Sequence, residues 1–268
     1  MFWHNYLPDP IFFSFGSLTI HWYGLILVLA IIVSTWQARR YFLRKNILSL
    51  RKFEDLIFYI IIFGLIGARF GHIVFFNFSY YFAHPIDIFK VWQGGMSIQG
   101  ALLFGLITIF IWARRNSISF WKLTDGLIFV VPLGQAIGRW GNYFNQELFG
   151  RPTNSWWGIP IASINKVDGY GEFMYFQPIF FYESILSLVL FFILYRLAFY
   201  NSLRRGTLTL LYFIGYGLIR FSIEFIRIDS TSSLFGMRTG QFISLIFIVV
   251  SLGIIYYLYT RPLPKQQK

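Results

Sequence analysis

The chain contains no cysteine. Disulfides, thiolate metal sites and a cysteine nucleophile are therefore excluded from it. Charge is scarce as well: only 13% of the 268 residues are charged, against about a quarter in a soluble domain of this size. There is no internal repeat, no low-complexity tract and no polar stretch long enough to fold as a soluble domain. A cleavable signal pattern is missing too, because Met1 to Pro10 lack a basic region followed by a short apolar one. The first long apolar segment is expected to insert and remain.

What fills the chain instead is apolar. Hydrophobic residues make up 56% and aromatic ones 22%, with a mean hydropathy of +0.58. This composition predicts an all-α integral membrane protein: a single polytopic domain over residues 1–268. The net charge of +12 raises the question of nucleic acid. A nucleic-acid footprint needs a contiguous basic face, whereas these cations sit in short loops between apolar segments. No nucleic-acid partner is expected, and the bilayer is.

A spanning helix needs about 20 mostly apolar residues. Seven segments qualify, at 17–37, 55–76, 96–113, 123–141, 179–199, 207–226 and 241–260. The loops after the first, third and fifth, with the tail that holds Arg261, Lys265 and Lys268, carry 15 basic residues. The other connections carry five: Lys90, Arg151, Lys166, Arg227 and Arg238. By the positive-inside rule, the N-terminus is expected outside and the C-terminus in the cytoplasm. Residues 77–95, rich in aromatics, read as an amphipathic stretch on the outer membrane surface. Residues 142–178 read as a small external cap.

Three arginines fall inside apolar segments. At about 1.5 Å per residue, Arg69, Arg139 and Arg220 lie roughly 20–24 Å above the inner face of a core about 30 Å thick. His21, Tyr23, Gln99 and Glu183 lie about one turn in from the outer ends of their helices. An ionisable residue inside a membrane is a functional hypothesis by default, and several at one depth call for an anion, of which phosphate is the abundant one. Plainer readings stand beside this one. Arg69 can snorkel to the interface, near His72. Tyr216, Arg220, Glu224 and Arg227 share one helical face, so an Arg220–Glu224 pair can be structural. Glu183 can cap the fifth helix. Gly67-xxx-Gly71 and Gly134-xxx-Gly138 read as close helix packing. His4, His72 and His84 have no ligand spacing and read as interfacial, so neither a metal nor a cofactor is expected.

The run Gly138-Arg-Trp-Gly-Asn-Tyr-Phe-Asn-Gln-Glu-Leu-Phe-Gly150 is harder to explain as packing. It gathers Arg139, Asn142, Asn145 and Glu147 where the chain leaves the bilayer. A guanidinium fork suits phosphate, and the two amides can serve a hydroxylated headgroup. The residues thus suggest a phospholipid headgroup pocket that opens outward.

At these residues the chain resembles the bacterial prolipoprotein diacylglyceryl transferases over nearly its whole length. The family's long glycine–arginine–x–glycine–asparagine motif appears as Gly138 to Gly150. Supporting matches are His21-Trp-Tyr-Gly24, Gly67-Ala-Arg69, Gly94-Gly-Met-Ser97, Gln177-Pro178 with Tyr182-Glu183, and Gly215-Tyr-Gly with Arg220 and Glu224-Phe-Ile-Arg227. The resemblance implies a transferase of the bacterial cytoplasmic membrane with its site toward the outer leaflet. It implies transfer of the diacylglyceryl group of phosphatidylglycerol to the lipobox cysteine of a preprolipoprotein signal peptide, giving a thioether and glycerol phosphate. On this reading Arg139 and Arg220 hold the phosphate, while Asn142, Asn145, Glu147 and Gly150 shape the headgroup site. Tyr23, Gln99 and Tyr216 line the reacting region, and Arg69, His21 and Glu224 support substrate binding. In one place the chain departs from the pattern: Gln99 stands where the family usually carries histidine, and an amide is no general base. Gln99 then orients substrate, or another residue such as His21 or Glu147 is the base, or the chain is a weakened paralogue that binds lipid. A lipid-binding or transport protein is the rival from another class.

Overall fold

The computed structural model describes residues 6–16, 18–200, 203–229 and 232–260. His4 and the tail cations Arg261, Lys265 and Lys268 lie outside the described residues. Among those described, the helices in chain order are α1 (Trp22–Arg44), α2 (Leu50–Phe76), α3 (Phe78–Ala83), α4 (Ile98–Arg115), α5 (Phe120–Ile128), α6 (Val131–Phe144), α7 (Ile179–Ala198), α8 (Thr207–Ile223) and α9 (Thr239–Thr260). Helices α1, α2, α4, α7 and α9 are long and apolar enough to cross a membrane, and α8 is a shorter apolar helix. The chain is thus a mostly helical membrane protein.

Two expected segments take another form. The stretch expected to start a helix at 17 is instead the second strand of a hairpin, β1 (Ile11–Phe15) with β2 (Leu18–His21). Helix α1 begins only at Trp22, whose N–H donates to Pro10 O at 3.0 Å. The segment 123–141 is not one helix but two, α5 and α6, meeting at Phe129–Val130. Pro132 sits in the first turn of α6. It has no N–H, and its ring would clash with the carbonyl four residues back, so a helix can begin there but not run through. Two further two-stranded hairpins, Ile159–Pro160 with Tyr175–Phe176 and Ser233–Leu234 with Met237–Arg238, complete the regular structure.

The described chain divides into two compact units, residues 38–126 and residues 1–37 with 127–268. In the smaller unit, α2 and α4 touch backbone to backbone. A Cβ on Gly100 would overlap Gly67 O, and one on Gly71 would come within 2.9 Å of Gly100 Cα. Only glycine permits that approach. Ser49 caps α2, accepting the Lys52 N–H at 3.4 Å, and Phe42, Phe53, Leu56 and Leu123 are fully buried beneath.

After α2 the chain runs through α3 and two 3-10 turns, Pro85–Phe89 and Val91–Gln93. Phe82, Ile86, Phe89 and Trp92 each keep three quarters or more of their surface exposed, which suits a segment lying in the membrane interface. Asp87 ties Tyr80 to Lys90 across the first part of this segment. It accepts the Tyr80 hydroxyl at 2.6 Å and pairs with Lys90 at 2.6 Å. The Lys90 and Tyr80 contacts keep its carboxyl below the ordinary value. A depressed carboxylate contributes order above its unfolded pKa and loses it as pH falls through its folded one. The chain has no thiol, so a fluorophore on Ile86→Cys would report this segment alone. Its mobility should stay flat from about pH 8 to 5 and rise below about pH 4. With Asp87→Asn added it should be high at every pH; a flat profile in both proteins would refute the account.

In the larger unit, α6 packs on α7 and α8 on α9. The close points are again glycines: Gly215 faces Leu190, and Gly217 faces Ile248 and Ser244 O. The segment after α6 is pinned by a core of Tyr143, Phe149, Ile159, Ile161, Phe176 and Phe180. Gln146 fastens it twice, donating to Pro8 O at 2.6 Å and accepting the Ala162 N–H at 2.7 Å.

Candidate functional site

Apolar helices α6, α7 and α8 each bring charge to the interior of the larger unit. Glu183, one turn into α7, pairs with Arg139 of α6 through Nε and with Nη1 of Arg220 of α8 at 3.4 Å. Arg220 Nη2 lies 2.9 Å from Glu224, whose other oxygen is 3.0 Å from Arg238 Nε. Arg238 reaches on to Asp229 at 3.6 Å, and Asp229 accepts a two-pronged pair from Arg227 at 2.8 and 2.5 Å. The result is an unbroken alternating chain of four guanidinium groups and three carboxylates. It carries one net positive charge. Glu224 is wholly buried and Glu183 nearly so, while Arg139 and Arg220 keep about a fifth of their side chains exposed. At the loop end, burial pushes the Asp229 carboxyl up, but the Arg227 pair outweighs it and the net direction is down.

The geometry inside the bundle is that of charge neutralisation. Glu183 Oε2 and both Glu224 oxygens are buried without a hydrogen bond to any described residue, although each meets a guanidinium nitrogen. Arg220 Nη1 donates to Glu183 Oε1 at 3.4 Å and Arg139 Nη1 to Asn142, so each guanidinium has engaged part of its five N–H donors and keeps others. That is the state in which a guanidinium can still fork onto an added oxyanion.

The motif after Arg139 adds neutral groups. Arg139 Nη1 donates to Asn142 at 3.3 Å, and Asn142 donates to Glu147 at 2.7 Å. Asn145 donates to the same Glu147 oxygen at 3.2 Å. Glu147 is exposed, so it can pair with a group from outside. Gln146 and Leu148 on either side take positive φ, 53° and 57°, a conformation that costs a non-glycine residue of order 1–3 kcal/mol and clusters at functional segments. Tyr23 joins from α1: its ring packs so closely on Gly141 that a Cβ there would lie 2.6 Å away. Tyr216 stacks on Tyr212, with ring centres 5.7 Å apart, and Gln135 donates to the Tyr212 hydroxyl at 2.9 Å. Gly138 has open space beside it. Gly150 is a crossing point, where a Cβ would crowd Gln177 and Ile226 O at 3.0 and 3.1 Å. His21 ends strand β2 with its side chain exposed. A crevice of about 360 Å³ runs beside Trp140, lined by Ile26, Leu29, Ala136 and Leu188. It is apolar, in keeping with a site that faces lipid.

Arg69 and Gln99 belong to the smaller unit, and their surroundings differ. Arg69 Nε donates to Ile88 O at 2.8 Å, Nη1 to Gly94 O and Gly95 O at 2.7 and 3.1 Å, and Nη2 to Asp87 O and Lys90 O at 2.5 and 3.5 Å. A guanidinium has five N–H donors, so this one is fully occupied. Gln99 stands exposed in the first turn of α4 and accepts the Ser97 hydroxyl at 2.8 Å. That contact uses its carbonyl and leaves its amide N–H groups for another partner.

Sequence reasoning left four members of the charged chain off the site: Glu183, Arg227, Asp229 and Arg238. Glu183 was legible, as the one acid in an otherwise uncharged apolar stretch. Arg238 and Asp229 gave no signal, since both read as loop charges. No group of three or more His, Asp or Glu able to hold a metal ion occurs among the described residues.

A helical membrane protein with an internal arginine–carboxylate chain is the class that the fold and the site define. Comparison with known proteins gives the family. The family model described as prolipoprotein diacylglyceryl transferase matches residues 10–257. The phosphatidylglycerol–prolipoprotein diacylglyceryl transferase of Synechocystis sp. is 37% identical over 261 residues, covering 94% of this chain and 90% of its own. The protein of the same name from Geobacillus kaustophilus is 39% identical over 250 residues, covering 92% and 91%. That from Thermotoga maritima is 37% identical, covering 93% and 84%. The chain belongs to the prolipoprotein diacylglyceryl transferase family, a family of transferases.

Proposed function

We propose that this protein transfers the diacylglyceryl group of phosphatidylglycerol to the cysteine thiol of a preprolipoprotein lipobox. The S–C bond forms as the C–O bond to phosphate breaks; glycerol phosphate leaves with the bond electrons, and the thiol proton passes to a base or to solvent. The observation that carries this reading is the convergence of Arg139 and Arg220 on Glu183 within an apolar bundle. Charge accumulates on the phosphate as it leaves, and guanidinium groups fixed beforehand at low dielectric stabilise it without reorganising. Asn142, Asn145 and Glu147 serve the headgroup, with Gly150 fixing the exit of that segment. Tyr23 and Tyr216 flank the arginines, His21 stands near the outer end, and Glu224 holds Arg220.

The chain would work as one polytopic domain of the bacterial cytoplasmic membrane. It would cross seven times, with its N-terminus outside and the site toward the outer leaflet. Its partners would be phosphatidylglycerol, signal peptides and the bilayer, with no nucleic acid and no cofactor. Gln99 orients substrate through its amide N–H groups, a role favoured by the engagement of its carbonyl with Ser97.

The test is to incubate the full chain in phosphatidylglycerol vesicles with a lipobox peptide and read the mass added at cysteine. A diacylglyceryl increment is expected. Its absence would leave the second reading, a weakened paralogue, which Gln99 itself favours. Gln99→His should then restore turnover, whereas in an active wild type it should change the rate by no more than about tenfold, the lower end of what a positioned base contributes being larger.

A further inference from the structure

A charge buried in a membrane protein should be serving something, and Arg69 is serving backbone. All of its donors go to carbonyls of residues 87–95, and its guanidinium also sits 5.0 Å from the Tyr81 ring centre. One residue earlier on α2, Ala68 O accepts the Ser97 N–H at 2.9 Å. Ser97 in turn caps α4, accepting the Gly100 N–H at 3.4 Å, and its hydroxyl donates to Gln99. The turn is shaped around the arginine: Gly94 and Gly95 take φ of 86° and 74°. A Cβ on Gly95 would come within 2.8 Å of both Arg69 Nη1 and His72. Below it, the contact of Gly67 and Gly71 with Gly100 fixes how far α4 can slide.

We infer that Arg69 is a positioning residue rather than a phosphate ligand. It binds the interfacial segment 87–95 to α2, and through the turn at 94–97 it sets where Gln99 is presented. The physical reason is donor count. A lysine has the charge but three donors and no plane, so it cannot hold carbonyls of the first 3-10 turn, Lys90 and the glycine turn together. Of these five carbonyls, Asp87 O also accepts a backbone N–H, that of Lys90 at 3.2 Å, and the guanidinium supplies donors to the rest.

This inference rests on the transferase reading, and the experiment separates the two. In full-length protein in phosphatidylglycerol vesicles, Arg69→Lys should lower kcat at least tenfold with the KM for lipid within about twofold of wild type. Gly95→Ala, which keeps the guanidinium and spoils its cradle, should do the same. Adding Gln99→Ala to Arg69→Lys should cost little beyond the larger single effect, because both act through one group. Amide exchange at Ser97 and Gly100 should speed up in Arg69→Lys and in Gly95→Ala. A tenfold rise in lipid KM with kcat preserved would make Arg69 a phosphate ligand and overturn the inference. So would multiplicative losses in the double variant, or unchanged exchange at Ser97 and Gly100. If the wild type transfers nothing, the transferase reading fails, while amide exchange still decides whether Arg69 holds the turn.

Discussion

Arg139→Ala should lower the initial rate of diacylglyceryl transfer by about 10²–10³-fold, the range seen when one preorganised donor to a developing oxyanion is removed. Arg139 has the position for this size of effect. It pairs with Glu183 on α7, leads into Asn142 and Glu147, and keeps a fifth of its side chain accessible. Its loss takes the closer of two guanidinium partners from the buried Glu183, which keeps Arg220 at 3.4 Å, so the thermal midpoint in detergent should fall, but by less than in Glu224→Ala. The rate is therefore read well below that midpoint, where the variant is folded and the rate loss is chemical. Arg139→Lys keeps a charge but gives up the planar fork, so its rate should fall between the two, on the order of tenfold below wild type. The measurement is the mass-resolved rate at cysteine under saturating phosphatidylglycerol. A wild-type rate in Arg139→Ala would sink the proposed role of the arginine chain.

The largest stability effect should come from Glu224. Its carboxylate is wholly buried between Arg220 and Arg238, and Gly240 packs against it so closely that a Cβ there would lie 2.8 Å from Oε2. Removing one member of a buried pair leaves the partners' charge uncompensated, at about 3–5 kcal/mol. Glu224→Ala should therefore unfold at clearly lower denaturant or temperature and lose transfer with it, since Arg220 is left with only its 3.4 Å contact to Glu183. Asp229→Ala supplies the contrast. Asp229 is about a third exposed, where water screens the pair, and its removal should cost about 1 kcal/mol or less. Equal destabilisation by the two substitutions would mean that burial is not what gives the Glu224 pair its strength.

How much of this could be read from the chain depends on how local each feature is. Spanning helices are local: a run of apolar residues has one way to satisfy its backbone in hydrocarbon, and five of the expected segments form helices within a few residues of their expected bounds. The break at Phe129–Val130 was also local, written in Pro132, but apolar character around the proline masked it. The β1–β2 hairpin was missed because Leu18 to His21 reads as well for a helix start as for a strand. At the site, the grouping of Arg139 with Asn142, Asn145 and Glu147 is visible because those residues lie within nine positions on one turn-rich run. Glu183 meeting both Arg139 and Arg220 is not, because it requires three helices to be rotated so that one face of each points inward.

Composition alone determined that this chain lives in a bilayer, and its motifs alone determined its family. Both follow from short-range rules, the cost of exposing backbone or charge to hydrocarbon and the fixed spacing of groups along a turn. Only the tertiary structure decided which charges partner which. Arg139 and Arg220 share a carboxylate and retain donors. Arg69, at a similar position in its own helix and equally legible as a buried charge, gives every donor to the backbone. Sequence supplies the charge, whereas the direction of its N–H groups is set by what the fold brings within 3 Å or so.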